Sequence, residues 1–180
     1  MPGDDRVMVY IDGSNLYHSL RSVADRIDLD FLAFARKLTG DRRLQRIYYY
    51  NAQADQSKDQ QGYRQQRRFL SSLRDVDYLE VRLGRLVYRN FPGEAPYEKG
   101  IDVKIATDLL VHATTGAYDV AILVSGDTDF CDALQAVKNT GKLVEVALFD
   151  PPTSSASLRE VADRILRINP EFLDDCWRAQ

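Results

Sequence analysis

The stretch YDVAILVSGDTDF, residues 118–130, decides how the rest of the chain is read. Asp119 to Ser125 is an apolar run of strand length, rich in Val, Ile and Leu, and it ends in Gly126-Asp127-Thr128-Asp129. A strand with apolar residues in succession belongs in a sheet covered on both faces. The turn that follows leaves carboxylates at the strand's C-terminal end. The same arrangement occurs near the N-terminus, where Val7 to Ile11 runs into Asp12-Gly13-Ser14-Asn15.

Working outward, strand-like runs recur at Arg46 to Asn51, Tyr78 to Leu83 and Leu143 to Phe149. Between them lie segments of helical spacing: Asn15 to Ile27, Leu29 to Leu38, Gln60 to Leu73, Ile101 to Thr114 and Phe130 to Asn139. Alternating strands and helices predict an α/β fold with a mainly parallel sheet. After the last strand, Asp150-Pro151-Pro152 stops the ladder. Ser157 to Ile168 then reads as an amphipathic helix, and a short one follows near Pro170 to Arg178. No repeat or domain boundary interrupts the chain, so residues 1–180 read as one domain.

Composition bounds the function. The 180 residues carry 24 Lys plus Arg against 27 Asp plus Glu, a net charge of −3, with 44% hydrophobic residues. That is enough to build a core without a metal staple. Two isolated cysteines, Cys131 and Cys176, exclude a disulfide framework and fit a reducing, cytoplasmic setting. No apolar run approaches the roughly 20 residues of a membrane span, and MPGDDR lacks the order of a secretory signal.

If the strands ending in Asp12 and Asp127 are neighbours, their carboxylates face one crevice, because functional groups collect beyond strand C-termini where the strand order reverses. Asp102 adds a third acid in the first turn of a helix that Gly100 introduces. Taken alone, Asp102 reads equally well as a helix cap. Asp12, Asp102, Asp127 and Asp129 in one crevice would repel one another and call for a cation. Oxygen ligands without His or Cys suit Mg²⁺ or Mn²⁺ rather than Zn²⁺. The combination predicts metal-dependent phosphate chemistry.

Three motifs in order, YIDGSN (10–15), KGIDVKIATD (99–108) and YDVAILVSGDTDF (118–130), followed by GKLVEVA (141–147), resemble the NYN family, LabA-like branch, of PIN-type nucleases. The resemblance covers about residues 7–168. It implies a three-layer α/β/α Rossmann-like PIN fold and a Mg²⁺- or Mn²⁺-dependent ribonuclease with Asp12, Asp102, Asp127 and Asp129 as its carboxylates. It also implies Asn15 as the polar residue beside the first of them. Asp108 matches the pattern too, but six helical residues turn it roughly 120° from Asp102. It reads as a rim carboxylate or metal contact, against a capping or solvent-facing role.

In this reading Asp12, Asp102 and Asp127 hold one or two ions, Asp129 orients or deprotonates water, and Asn15, Ser14 and Ser125 fix carboxylates or touch phosphate. Lys99 contacts phosphate or balances the acids. Residues 41–89 carry 11 Lys/Arg against six Asp/Glu. Arg64, Arg67 and Arg68 recur on one helix, and Arg82, Arg85 and Arg89 follow with Tyr88 and Phe91, a composition suited to RNA, single-stranded or structured. The alternative for each arginine is an ordinary solvated face. His18 and His112 read as satisfied helix residues. PIN-type domains also pair, and Phe91 to Tyr97 offers an interface between two copies or a substrate flap.

Three rivals compete. A haloacid dehalogenase-type phosphatase needs a second Asp two residues after the first, where Ser14 stands. Nucleotide-binding enzymes need a Gly-rich phosphate loop that no strand-to-helix junction supplies. A catalytically silent PIN-like module that binds RNA or protein would keep the fold without turnover.

Overall fold

The computed structural model describes residues 3–150 and 156–179; Pro151 and Pro152, read above as a strand stop, lie outside them. Seven strands form one sheet: β1 (Arg6–Asp12), β2 (Arg43–Gln53), β3 (Leu79–Val87), β4 (Tyr97–Lys99), β5 (Val120–Val124), β6 (Leu143–Phe149) and β7 (Arg164–Ile168). Their order is β4-β3-β2-β1-β5-β6-β7, and every pairing is parallel except β3 with β4. Among the described residues seven α-helices accompany them, six between strands and one after the last: α1 (Gly13–Ala24), α2 (Phe31–Thr39), α3 (Gln60–Leu73), α4 (Ile101–Thr114), α5 (Cys131–Asn139), α6 (Ala156–Val161) and α7 (Pro170–Leu173).

Alternation along the central strands sorts the core into two sets. Val7, Val9 and Ile11 pack with Leu16, Leu20, Phe31 and Phe34 of α1 and α2. Met8 and Tyr10 pack with Ile105 and Leu109 of α4 and Leu134 and Val137 of α5. The central strands are therefore apolar on both sides, as their composition requires.

β1 and β5 are direct neighbours, with Ile11 opposite Val124. The chain builds outward from β1 to β4 on one side, then crosses back to β5 and builds to β7 on the other. The strand order reverses between β1 and β5, where an open parallel sheet leaves its crevice.

One expectation fails. Ser157 to Ile168 does not form a single helix: α6 ends at Val161, and Arg164–Ile168 adds as β7 along β6. Without it, β6 would present a row of unpaired N–H and C=O groups, and pairing that edge outweighs the helical spacing. Asp163 starts the graft, its N–H donating to the Val144 carbonyl at 2.8 Å.

Candidate active site

Asp12 closes β1 and caps α1, its Oδ1 accepting the Asn15 N–H at 3.2 Å. Gly13 follows because a Cβ there would meet the Tyr50 carbonyl and the Tyr49 hydroxyl at 2.5 and 2.6 Å. Beyond β5, Asp127 caps a 3₁₀ turn over Thr128–Phe130, its Oδ1 accepting the Asp129 N–H at 2.9 Å. Two polar side chains lock these loops together. Buried Ser125 donates its hydroxyl to Asp12 Oδ2 at 3.1 Å and accepts the Asp127 N–H at 3.2 Å. Asn15 Oδ1 accepts the Gly126 N–H at 3.1 Å. Ser14 lies half-buried on the first turn of α1.

Asp102 enters from a third element. Gly100 is the N-cap of α4 with φ of +83°, a conformation that L side chains rarely adopt, and no side chain caps this helix. Asp102 in the first turn is therefore not spent on capping. It stands exposed beside the other acids.

The electrostatics join these groups. Burial pushes the Asp12 carboxyl above its ordinary value; the Asn15 and Ser125 hydrogen bonds oppose this, while the charges of Asp102 and Asp127 add to it. Asp102, exposed as a residue, is raised first by the partial withdrawal of its carboxyl from water and then by the charges of Asp127 and Asp129. Among the described residues no Lys or Arg forms an ion pair with any of these carboxylates.

Glu98 belongs to the same group, and the sequence reading missed it. Half-buried on β4, it is raised by burial and then by the charges of Asp12 and Asp102. Its signal was the Glu that directly precedes the Lys99-Gly100 turn, but a three-residue strand has no periodicity to mark it.

Asp108 joins a different network. Its Oδ2 accepts the Tyr50 hydroxyl at 2.7 Å, and the Arg82 guanidinium lies 3.9 Å away. His112 contacts the Tyr10 hydroxyl through Nδ1 at 2.8 Å and stacks on Tyr48. Together with the Tyr118 hydroxyl bond to the Leu109 carbonyl, these contacts pin α4 to the sheet.

The basic stretch divides in space. Arg82 pairs with Glu80 at 2.9 Å, and Arg46 pairs with Glu80 at 3.2 Å. Arg64, Arg67 and Arg68 lie exposed on α3, while Lys99, Arg85 and Arg89 line a groove at the β3–β4 hairpin. Asp132 is exposed on α5, and Cys131 and Cys176 are free thiols.

Among the described residues, no three or more His, Cys, Asp or Glu side chains stand close enough together to hold a metal ion as they are placed. The donor set nevertheless suits a hard cation. It is all oxygen, it sits in mutual repulsion, and Mg²⁺ characteristically binds through one or two carboxylates while retaining waters.

A mainly parallel α/β sheet thus carries acidic residues at the strand ends of its order reversal. The chain matches the NYN domain over residues 6–169 and belongs to that family, within the PIN-like nuclease superfamily. Among solved structures it is similar to a protein of unknown function, VPA0982, from Vibrio parahaemolyticus, at 27% identity over 99% of both chains with a TM-score of 0.72. It is also 34% identical over 95 residues to the uncharacterized protein y4oD of Sinorhizobium fredii, a match covering 52% of this chain and 42% of that one. The chain thus spans less than half the length of this curated relative. Among the described residues no helix is long and apolar enough to cross a membrane.

Proposed function

We propose that the protein is a divalent-metal-dependent ribonuclease that hydrolyses RNA phosphodiester bonds at Asp12, Asp102 and Asp127, with Asp129 and Glu98 beside them. The observation that carries this reading is the approach of carboxylates from β1, α4 and the β5 turn: Asp102 and Asp127 add to the raising of Asp12, Asp127 and Asp129 add to the raising of Asp102, and among the described residues none of them forms an ion pair with Lys or Arg. Perturbed acidic groups gathered at the strand ends of an α/β sheet are a candidate site of chemistry.

Asp12 and Asp127 would hold Mg²⁺ or Mn²⁺ from the two strand ends, and Asp102 from the helix start. When bound, the ion supplies charge neutralisation and water activation. Asn15 and Ser125 tie the two loops together through the two hydrogen bonds that cross between them, Ser125 to Asp12 and Gly126 to Asn15. Exposed Asp129 accepts the proton of the attacking water. Lys99 and the arginines of α3, Arg64, Arg67 and Arg68, attract the polyanion. The same reading takes the chain as one domain of three-layer PIN architecture in the LabA-like branch, cytoplasmic and paired with a second copy.

The test is incubation of purified protein with a mixed labelled RNA pool and Mg²⁺, Mn²⁺ or chelator, beside Asp127→Asn. Metal-dependent cleavage lost in the variant is expected. RNA binding without cleavage under any ion would instead identify a silent binding module.

A further inference from the structure

For most of its length β3 is paired on one side only. The Ile47 N–H donates to the Tyr78 carbonyl at 2.8 Å, and Ile47 stands opposite Leu79. In a parallel ladder this phase turns the N–H and C=O of Glu80, Arg82 and Gly84 toward β2, and those of the odd-numbered residues toward the other side. There Arg85 and Val87 meet Lys99 and Tyr97 of β4. The pairing with β4 reaches no further back along β3, so Val81 and Leu83 turn their backbone groups to an open edge. Among the described residues no backbone hydrogen bond outside the ladder reaches either of them. Such an edge is a template for another strand.

The same stretch walls a groove of about 590 Å³ against α3. Leu70, Leu79, Val81 and Leu83 supply its apolar lining, and Arg67 and Arg74 its positive charge. Among the described residues neither arginine forms an ion pair. Glu80, the carboxylate lining the groove, is already held by Arg46 and Arg82. A strand added antiparallel at Val81 and Leu83 places its side chains at the paired positions on the same face as theirs, which is the face toward α3.

We propose that this edge and groove dock an extended acidic segment of a partner protein, added to β3 in line with β4. Backbone pairing supplies the hold and the groove reads alternate side chains. The charge favours this occupant: an apolar residue meets the apolar lining, and acids on either side of it meet Arg67 and Arg74. A second copy of the chain would bring a second set of the same arginines to this face. RNA carries the right charge but has no peptide backbone to extend a sheet. The inference goes beyond the nuclease reading and stands apart from it.

The probe is a blocked heptapeptide, Thr-Glu-Thr-Val-Thr-Glu-Thr, titrated into isotopically labelled protein and read by amide shifts and hydrogen exchange. In the free protein the Val81 and Leu83 amides should exchange at least about tenfold faster than those of Glu80, Arg82 and Gly84, and the peptide should slow them. N-methylation of the peptide's Val, which removes its backbone donor, and Lys in place of both Glu should each weaken binding about tenfold. Arg74→Glu should do the same. Val81→Pro removes an outward N–H, leaves the β2 ladder whole and should abolish binding; Arg74→Glu carries the test if that variant does not fold. The proposal is overturned if the two amides are protected in the free protein, if neither responds to the peptide, or if the N-methylated or lysine peptide binds as well. Protection that rises with protein concentration would assign the edge to a second copy, and shifts of the same two amides by an oligouridylate would assign it to RNA; either result also overturns the proposal.

Discussion

At the N-terminal ends of the strands, Asp119 accepts the backbone N–H and Nε–H of Arg6 at 3.0 and 2.9 Å on one oxygen, and a terminal guanidinium nitrogen at 2.9 Å on the other. Lys142 adds a contact at 3.4 Å. Nearby, Glu145 takes a two-pronged bond from Arg42 at 2.8 and 2.9 Å in nearly closed surroundings. At the C-terminal ends of the same sheet, Asp12 accepts the Ser125 hydroxyl and the Asn15 amide, the charge of Asp102 acts on Asp12 and both act on Glu98, and among the described residues none of the three forms an ion pair. The shifts run in opposite directions: Arg6 holds Asp119 well below the ordinary carboxylate range, while burial and like charge push the other three up. Charge that serves the fold is closed within the fold. Charge left open is available to whatever arrives.

The sharpest way to break this comparison exchanges one residue at each end. Asp12→Asn keeps an oxygen that can cap α1 but removes a buried charge. Cleavage should fall by about a thousandfold while the thermal midpoint holds or rises, because like-charge repulsion is relieved. A collapse of the midpoint with cleavage largely kept would make Asp12 a structural cap. Arg42→Ala should do the reverse. It strands Glu145, only 6% exposed, without its cation and should cost about 3 kcal/mol in urea unfolding, with cleavage by the folded protein at the parent level.

What was legible in the sequence follows from how local each signal is. Asp12 and Asp127 each sit where an apolar strand meets its turn, so a few contiguous residues reveal both the strand end and the acid. Asp102 was legible through Gly100, whose backbone conformation opens α4. The neighbour relation of β1 and β5 had to be assumed, since it depends on crossovers no single segment encodes. β7 was hidden because Leu158, Val161, Ile165 and Ile168 also satisfy a helical period, and only the open edge of β6 decides between the two. Glu98 was hidden because its strand exists only through pairing with β3, and Asp108 shares a motif with Asp102 while its carboxylate answers to Tyr50.

A smaller effect sharpens the same contrast through the open end. Mg²⁺ or Mn²⁺ at tenfold over its dissociation constant should stabilise the parent by about 1.4 kcal/mol, raising its thermal midpoint by about 3–5 °C, and chelator should reverse the rise. Asp12→Asn should lose most of this response, whereas Asp119→Asn should keep it. An equal rise in Asp12→Asn would locate the cation elsewhere and remove the basis for calling that end of the sheet open.

The smallest effect lies at the closed end and appears only as a pH dependence. Because the folded-state pKa of Asp119 is depressed, the folded protein binds its proton less readily than the unfolded chain. Its contribution to stability is therefore fully present above the unfolded value of about pH 4 and is lost as pH falls below it. The raised acids have the opposite sign, since their repulsion is relieved by protonation and grows as pH rises through their folded values. The urea midpoints of the parent and Asp119→Asn should thus differ most near neutrality and converge below pH 4. Asp119 and Arg6 are each about one-third exposed, so the gap will be modest and should shrink with added salt. A gap that stays constant from pH 7 to strong acid would mean that Asp119 acts through its hydrogen-bonding shape and not its charge, and the two ends of the sheet would then no longer differ in the way their carboxylates are balanced.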